Sequence, residues 1–172
     1  MQASCRYRPA GNIIRWRGVI LLAVYNVVVV DESEVLRKKS KEVVNINDNI
    51  KKMVKNMAET MIEFKGVGLA APQIGILKRI IVVDYGEGLI ELINPLITSA
   101  EGEQTGVEGC LSVPGITGEV KRAQKITVKG LNKDALQVEY EISGFPAVVF
   151  QHEIDHLDGV LFIDRASNIK KV

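Results

Sequence analysis

The chain has 172 residues, the length of one domain and enough to bury a sizeable core. With 47% apolar and 25% charged residues, its composition is that of an ordinary soluble globular protein. A formal net charge of +1 argues against a nucleic-acid binder that draws its affinity from a strong positive field. The two cysteines, Cys5 and Cys110, make no disulfide framework, which fits a reducing, cytoplasmic setting.

Arg6, Arg8, Arg15 and Arg17 precede an apolar run over residues 18–30, an arrangement that imitates a signal peptide. Tyr25 and Asn26 interrupt the run, no small-x-small cleavage site follows, and the stretch is shorter than the ~20 residues of a spanning helix. Its β-branched part, residues 23–30, reads as a strand entering the domain. Residues 1–21 then read as an atypical leader, disordered or an artefact of the assumed translation start, and 22–172 as a single catalytic domain. No membrane contact is expected.

Residues 31–39 form a polar connection with a short helical turn. Capping side chains at 45–48 open an amphipathic helix with Ile50, Met53, Val54, Met57, Met61 and Ile62 on one stripe, ending at Gly66. The glycine-rich stretch 66–75 reads as a flexible loop. No strand directly precedes it and no Lys-Ser/Thr pair closes it, so it makes a poor phosphate cradle. It does offer Gln73, either a solvated loop residue or an amide able to donate to a developing oxyanion. Residues 79–84 and 89–93 are predicted strands around a turn at 85–88, with Asn94-Pro95 breaking the second. Residues 119–131 and 135–142 read as a hairpin around 132–134, the second arm placing Leu136, Val138, Tyr140 and Ile142 on one face.

A second helix is predicted from about Gly144, with Gly159 placed to terminate it. Phe145, Val148, Val149, His152 and His156 recur along it at steps of three and four, which sets them on one face. At ~100° per residue the two imidazoles lie only ~40° apart around the axis and can reach one point. Glu153 sits beside them. This is the HExxH arrangement, two ligands and a general base for metal-activated water. It also arises by chance on amphipathic helices, but these are the only two histidines in the chain, and burying both idly would carry a desolvation cost. An apolar piece, 160–163, leads to a short basic end. The expected class is α+β, with antiparallel strands packed around a central HExxH helix and an N-terminal amphipathic helix.

A catalytic metal needs a third protein ligand and an open position. The candidate is Cys110, in Glu108-Gly-Cys-Leu-Ser112. Three readings stand open on spacing alone: a thiolate ligand, an inert buried cysteine, or a nucleophile with a histidine as its base.

Taken together, Gly66-Val-Gly-Leu-Ala-Ala-Pro-Gln73, Glu108-Gly-Cys-Leu-Ser112 and Gln151-His-Glu-Ile-Asp-His156 resemble the three signatures of the peptide deformylase family, in the family's order, over about residues 23–165. The resemblance implies that Cys110, His152 and His156 hold one divalent metal, ferrous iron in the cell, with zinc or nickel also able to occupy the site. Hydroxide on that metal would attack the formyl carbon of N-formylmethionyl nascent polypeptides, releasing formate. Glu153 would be the general acid/base, Gln73 and the Leu111 N–H would stabilise the oxyanion, and Gly68 would help hold the substrate backbone. Val67, Phe145, Val148 and Val149 are candidates for the methionine slot, and Glu108 for a hydrogen bond to a ligating histidine. Thr117 stands where an arginine is common, which alters a contact beyond methionine. Many bacterial members carry a long C-terminal helix that docks on the ribosome; transient ribosome proximity is expected here, but not by that route.

Rival functions make different demands. A zinc protease needs a downstream His or Glu ligand, and no histidine follows His156. A structural metal module needs a fourth protein ligand, which no spare Cys or His outside the leader supplies. A decayed homologue would be expected to lack Glu153 or Gln73, and both are present.

Overall fold

The structure, a computed structural model, describes residues 24–30 and 33–172; the expected leader, 1–21, lies outside them. Residues 24–29 form no strand, correcting the reading of 23–30. They are tied down singly instead, by the Tyr25 N–H on Thr60 Oγ1, Val28 on the Gln73 carbonyl and Val30 on the Ser112 carbonyl. A β-branched run enters a ladder only where a sheet edge is free beside it, and here each contact is to a different element.

Helix α1 (Asp48–Glu63) begins where Asn47 is extended and its Oδ1 accepts the Ile50 N–H at 3.1 Å. It closes at Lys65, whose φ is 55°, with the Gly66 N–H bonded to the Met61 carbonyl and the Lys65 N–H to the Ile62 carbonyl. That is a Schellman ending with lysine at the left-handed position, one residue before the glycine expected to stop it. Met53, Val54, Met57 and Met61 are buried, whereas Ile62 is 59% exposed; at 100° per residue it falls on the rim of the stripe.

Five antiparallel strands form the main sheet in the order β1-β2-β3-β6-β7: β1 (Gly68–Ala70), β2 (Ile80–Val83), β3 (Ile90–Glu101), β6 (Lys125–Leu131) and β7 (Gln137–Ser143). The glycine-rich stretch is therefore not a loop but an edge strand followed by a 3-10 turn, Ala71–Ile74. Nor does Asn94-Pro95 end a strand. Strand β3 runs through it across a register shift between Ile93 and Leu96, and Asn94, at φ 52°, uses its amide to clasp the Val43 N–H and carbonyl. A bulge is where a strand tolerates a proline.

All four residues of β2 are buried because the sheet is covered on both sides. Ile80, Val82, Ile93 and Leu69 pack on α1. Ile81, Val83, Leu92 and Ala70 face helix α2 (Phe145–Leu157) through its Ala147, Phe150, Ile154 and Leu157. Helix α2 thus lies with its apolar side on the main sheet and its histidine side toward a second, three-stranded antiparallel sheet, β4-β5-β8. The expected arm 119–131 is split between the two sheets: β5 (Val113–Arg122) pairs with β4 (Gln104–Cys110), and the chain crosses at Ala123-Gln124 into β6. The basic end forms β8 (Ser167–Lys171), paired with β5, where no strand was expected. Its side chains are all exposed, so burial periodicity gave no signal. Along β7, Ile142 is buried but Leu136 stands 63% exposed before the strand begins.

Candidate metal centre

Three elements bring the donors together. Helix α2 carries His152 and His156 one turn apart, with ring centroids 5.0 Å from each other. Strand β4 ends at Cys110, which pairs with Val113 so that Leu111 and Ser112 form a two-residue turn. The ligand atoms of Cys110, His152 and His156 all lie within 4.8 Å of one another, and Cys110 Sγ stands 3.3 Å from His156 Nε2.

The sulfur also receives hydrogen bonds from the Ser112 N–H at 3.4 Å and from Gln73 Nε2 at 3.5 Å. The 3-10 turn after β1 buries Gln73 and presents it to the centre, and its Oε1 is fixed by the Ala70 N–H at 2.8 Å. With the oxygen occupied, the amide N–H₂ is the end turned to the sulfur and to Ser112 Oγ, 3.4 Å away. Gln73 is therefore not a solvated loop residue. Its neighbours Gly68, Leu111 and Glu153 line the same cleft.

Glu108, one alternation before Cys110 on β4, accepts from His152 Nδ1 at 2.8 Å. That bond commits Nδ1 and leaves Nε2 as the lone pair able to bind a cation. Burial alone would raise the Glu108 carboxyl, but hydrogen bonds from His152 and Arg122 hold it down at about 2. Burial likewise opposes a proton on His152, yet Cys110, Glu108 and Glu153 around it raise its pKa to about 10. Anionic surroundings that favour a proton there favour a metal ion equally. His156 is pushed well below the ordinary imidazole range, first by burial and then by the charges of His152 and Arg122, which keeps it in the neutral form a ligand needs.

Glu153 is raised to about 7, chiefly by burial, with Glu108 adding to the shift and His152 and Arg122 opposing it. Its Oε2 is buried without a hydrogen-bond partner among the described residues, a polar atom aimed into a site that other atoms must complete. A cysteine sulfur and two imidazoles, one oriented by a carboxylate and all beside the unpartnered Glu153 carboxyl, fit a divalent ion with three protein ligands. The donor chemistry suits iron, zinc or nickel.

The cleft runs between β1 and β4, each an edge strand of its own sheet. Val67, Phe145, Val148 and Val149, the candidates for the methionine slot, all line it. Val149 is buried and Phe145 is 59% exposed, so the cleft lining changes from exposed to buried between them. Three residues escaped the sequence reading. Val107, 71% exposed, borders the cleft from β4; Phe162 stacks on His152 with centroids 6.1 Å apart; and Arg122 forks onto both oxygens of Glu108 at 2.8 and 3.0 Å. None lies in a motif, and only the strand crossing brings Arg122 under the centre.

A two-sheet α+β protein with an HExxH helix beside a Cys/His/His group that could hold a metal ion has the pattern of a metal-dependent hydrolase. The polypeptide deformylase model matches residues 24–172, so the chain belongs to that family. It is 56% identical over 151 residues to the peptide deformylase of Pelotomaculum thermopropionicum, covering 88% of this chain and 97% of that one. It is 55% identical over 148 residues to that of Carboxydothermus hydrogenoformans, covering 86% and 97%. Among solved structures, the peptide deformylase of Thermotoga maritima superposes with a TM-score of 0.82 at 46% identity, covering 84% of this chain and 99% of that one. The peptide deformylase of Synechococcus elongatus in complex with actinonin gives 0.80 at 36%, covering 84% and 81%. Among the described residues no helix is long and apolar enough to cross a membrane.

Proposed function

We propose that this chain hydrolyses the formyl amide of N-formylmethionyl nascent polypeptides, releasing formate and a free amino terminus. The observation that carries the reading is the convergence of Cys110, His152 and His156 within 4.8 Å beside Glu153 and Gln73, in a member of the polypeptide deformylase family. Those three residues would hold one divalent ion, ferrous iron in the cell, with zinc or nickel able to replace it. When bound, such an ion supplies Lewis acidity and brings water toward ionisation near neutral pH.

The chain's own groups do the rest. An extended peptide can lie between the free edges of β1 and β4, its backbone pairing near Gly68 and its methionine side chain entering between Phe145, Val148 and Val149. Gln73 Nε2 and the Leu111 N–H face the developing oxyanion; one such donor is worth about 3 kcal/mol. Glu153 accepts the proton of the attacking water and passes it to the leaving nitrogen, work for which a pKa lifted to about 7 is suited. A cytoplasmic location and transient nearness to the ribosome follow from such a substrate. The test is formate release from formyl-Met-Ala-Ser by protein purified without air, with Glu153→Ala in parallel. The native chain should turn over and the variant should keep its metal but not its activity; cleavage of an internal peptide bond in place of the formyl group would refute the reading.

A further inference from the structure

Asp155 lies inside the QHEIDH segment, yet neither ligation nor proton transfer uses it. Its Oδ2 meets Arg122 NH1, and Arg165 grips it from outside at 2.8 and 3.0 Å. Arg122 holds both oxygens of Glu108, and Glu108 holds His152. Charges therefore alternate from Arg165 through Asp155, Arg122 and Glu108 to His152. Side-chain exposure falls from 48% at Arg165 to 15% at Asp155, 4% at Arg122 and 5% at Glu108. Arg122 is the one member whose planar fork satisfies two carboxylates at once, and a lysine ammonium cannot reproduce that geometry. Arg122 also lies outside the cleft lining, so it does not touch a substrate there, and its hydrogen bonds to the centre run through Glu108.

We propose that Arg122, braced by Asp155, is a positioning residue: it locks the rotamer of Glu108 and thereby the ring of His152, setting how tightly the metal is held. This rests on the Cys110–His152–His156 group being the metal site. Unbraced, the Glu108 carboxylate would rotate, the Nδ1 bond would weaken, and His152 would leave the ion more often. Partners of this kind change metal affinity by roughly 10–100-fold.

The experiment follows transfer of zinc from the loaded protein to an excess of a chromogenic chelator, for the native chain, Arg122→Lys, Asp155→Asn and Arg165→Gln. Arg122→Lys should release zinc about ten times faster or more, Asp155→Asn several times faster, and the exposed Arg165→Gln within about threefold of native. The KM for formyl-Met-Ala-Ser should stay unchanged in all three. The Nδ1–H proton of His152, held by Glu108, should be visible by NMR in the native zinc form and broadened in Arg122→Lys. Asp155→Asn, nearly isosteric and close to the surface, keeps the test intact should Arg122→Lys fail to fold. Native release rates in the folded variants would overturn the role of Arg122, as would a raised KM with unaltered release. A native chain that binds no zinc would instead refute the site itself.

Discussion

Gly68 and Glu153 touch so closely that a methyl group on residue 68 would come within 2.5 Å of Glu153 Oε1 and 2.8 Å of its Cγ. Glu153 is itself buried on α2, so it cannot yield without turning its carboxylate. The glycine of an edge strand thus leaves the space in which the Glu153 carboxylate, the proposed general base, stands. Gly68→Ala is expected to lower kcat by about 10²-fold or more, the scale of a displaced acid–base group, while metal content measured by elemental analysis stays at the native level. A near-native kcat would show that the carboxylate has room the geometry does not reveal.

Gln73→Ala removes the amide that the Ala70 N–H orients. A loss of about 10²–10³ in kcat, the usual consequence of deleting an oxyanion donor, is expected in formate-release assays. KM should move little, because that bond strengthens only as charge develops.

Phe145 stands at the mouth of the cleft, 59% exposed, with apolar surface left for a substrate to cover. Phe145→Ala should raise the KM for formyl-methionyl peptides by up to about tenfold, the effect of losing partial burial of an aromatic ring. Because the ring is largely outside the core, the melting temperature followed by circular dichroism should stay close to native.

Glu108 titrates near 4.5 when unfolded and at about 2 in the folded chain. A depressed carboxylate contributes stability that is fully present above the unfolded value and is lost as pH falls toward the folded one. The melting-temperature difference between the native chain and Glu108→Gln should therefore be widest above pH ~5 and shrink steadily down to pH ~3. A gap that stayed constant over this window would mean that Glu108 is not held by Arg122 and His152 in solution.

Chelation should abolish formate release, and ferrous iron added without air should restore it. Exposure of the iron form to air should then inactivate it through the metal and the Cys110 sulfur, with a zinc form surviving the same treatment. Undiminished activity of the iron form in aerated buffer would count against iron as the working ion.

The chemistry was legible in the sequence wherever it depended on short-range spacing. Histidines at 152 and 156 with Glu153 between them are set side by side by the pitch of a helix, and nothing distant has to agree for that to hold. The three motifs, read jointly, likewise pointed to the family before any coordinates. Residues whose role comes from long-range pairing were illegible. Arg122 falls inside the expected arm 119–131, Phe162 in the apolar piece 160–163, and the β-branched run at 23–30 reads as a strand entering the domain.

The same division runs through the fold. Local sequence determined the stripe of α1, the capping side chains at 45–48 that open it, and the extended run that becomes β2. Only the tertiary structure decided that residues 68–70 form an edge strand, that β3 passes through Pro95 on a bulge, and that the chain crosses between sheets at Ala123-Gln124. A strand's partner and register are chosen by which neighbouring edge is free and which face is already covered, and neither quantity exists until the rest of the chain has packed. For that reason the cleft between β1 and β4, and the charged chain beneath it, belong to the folded protein and not to any segment of its sequence.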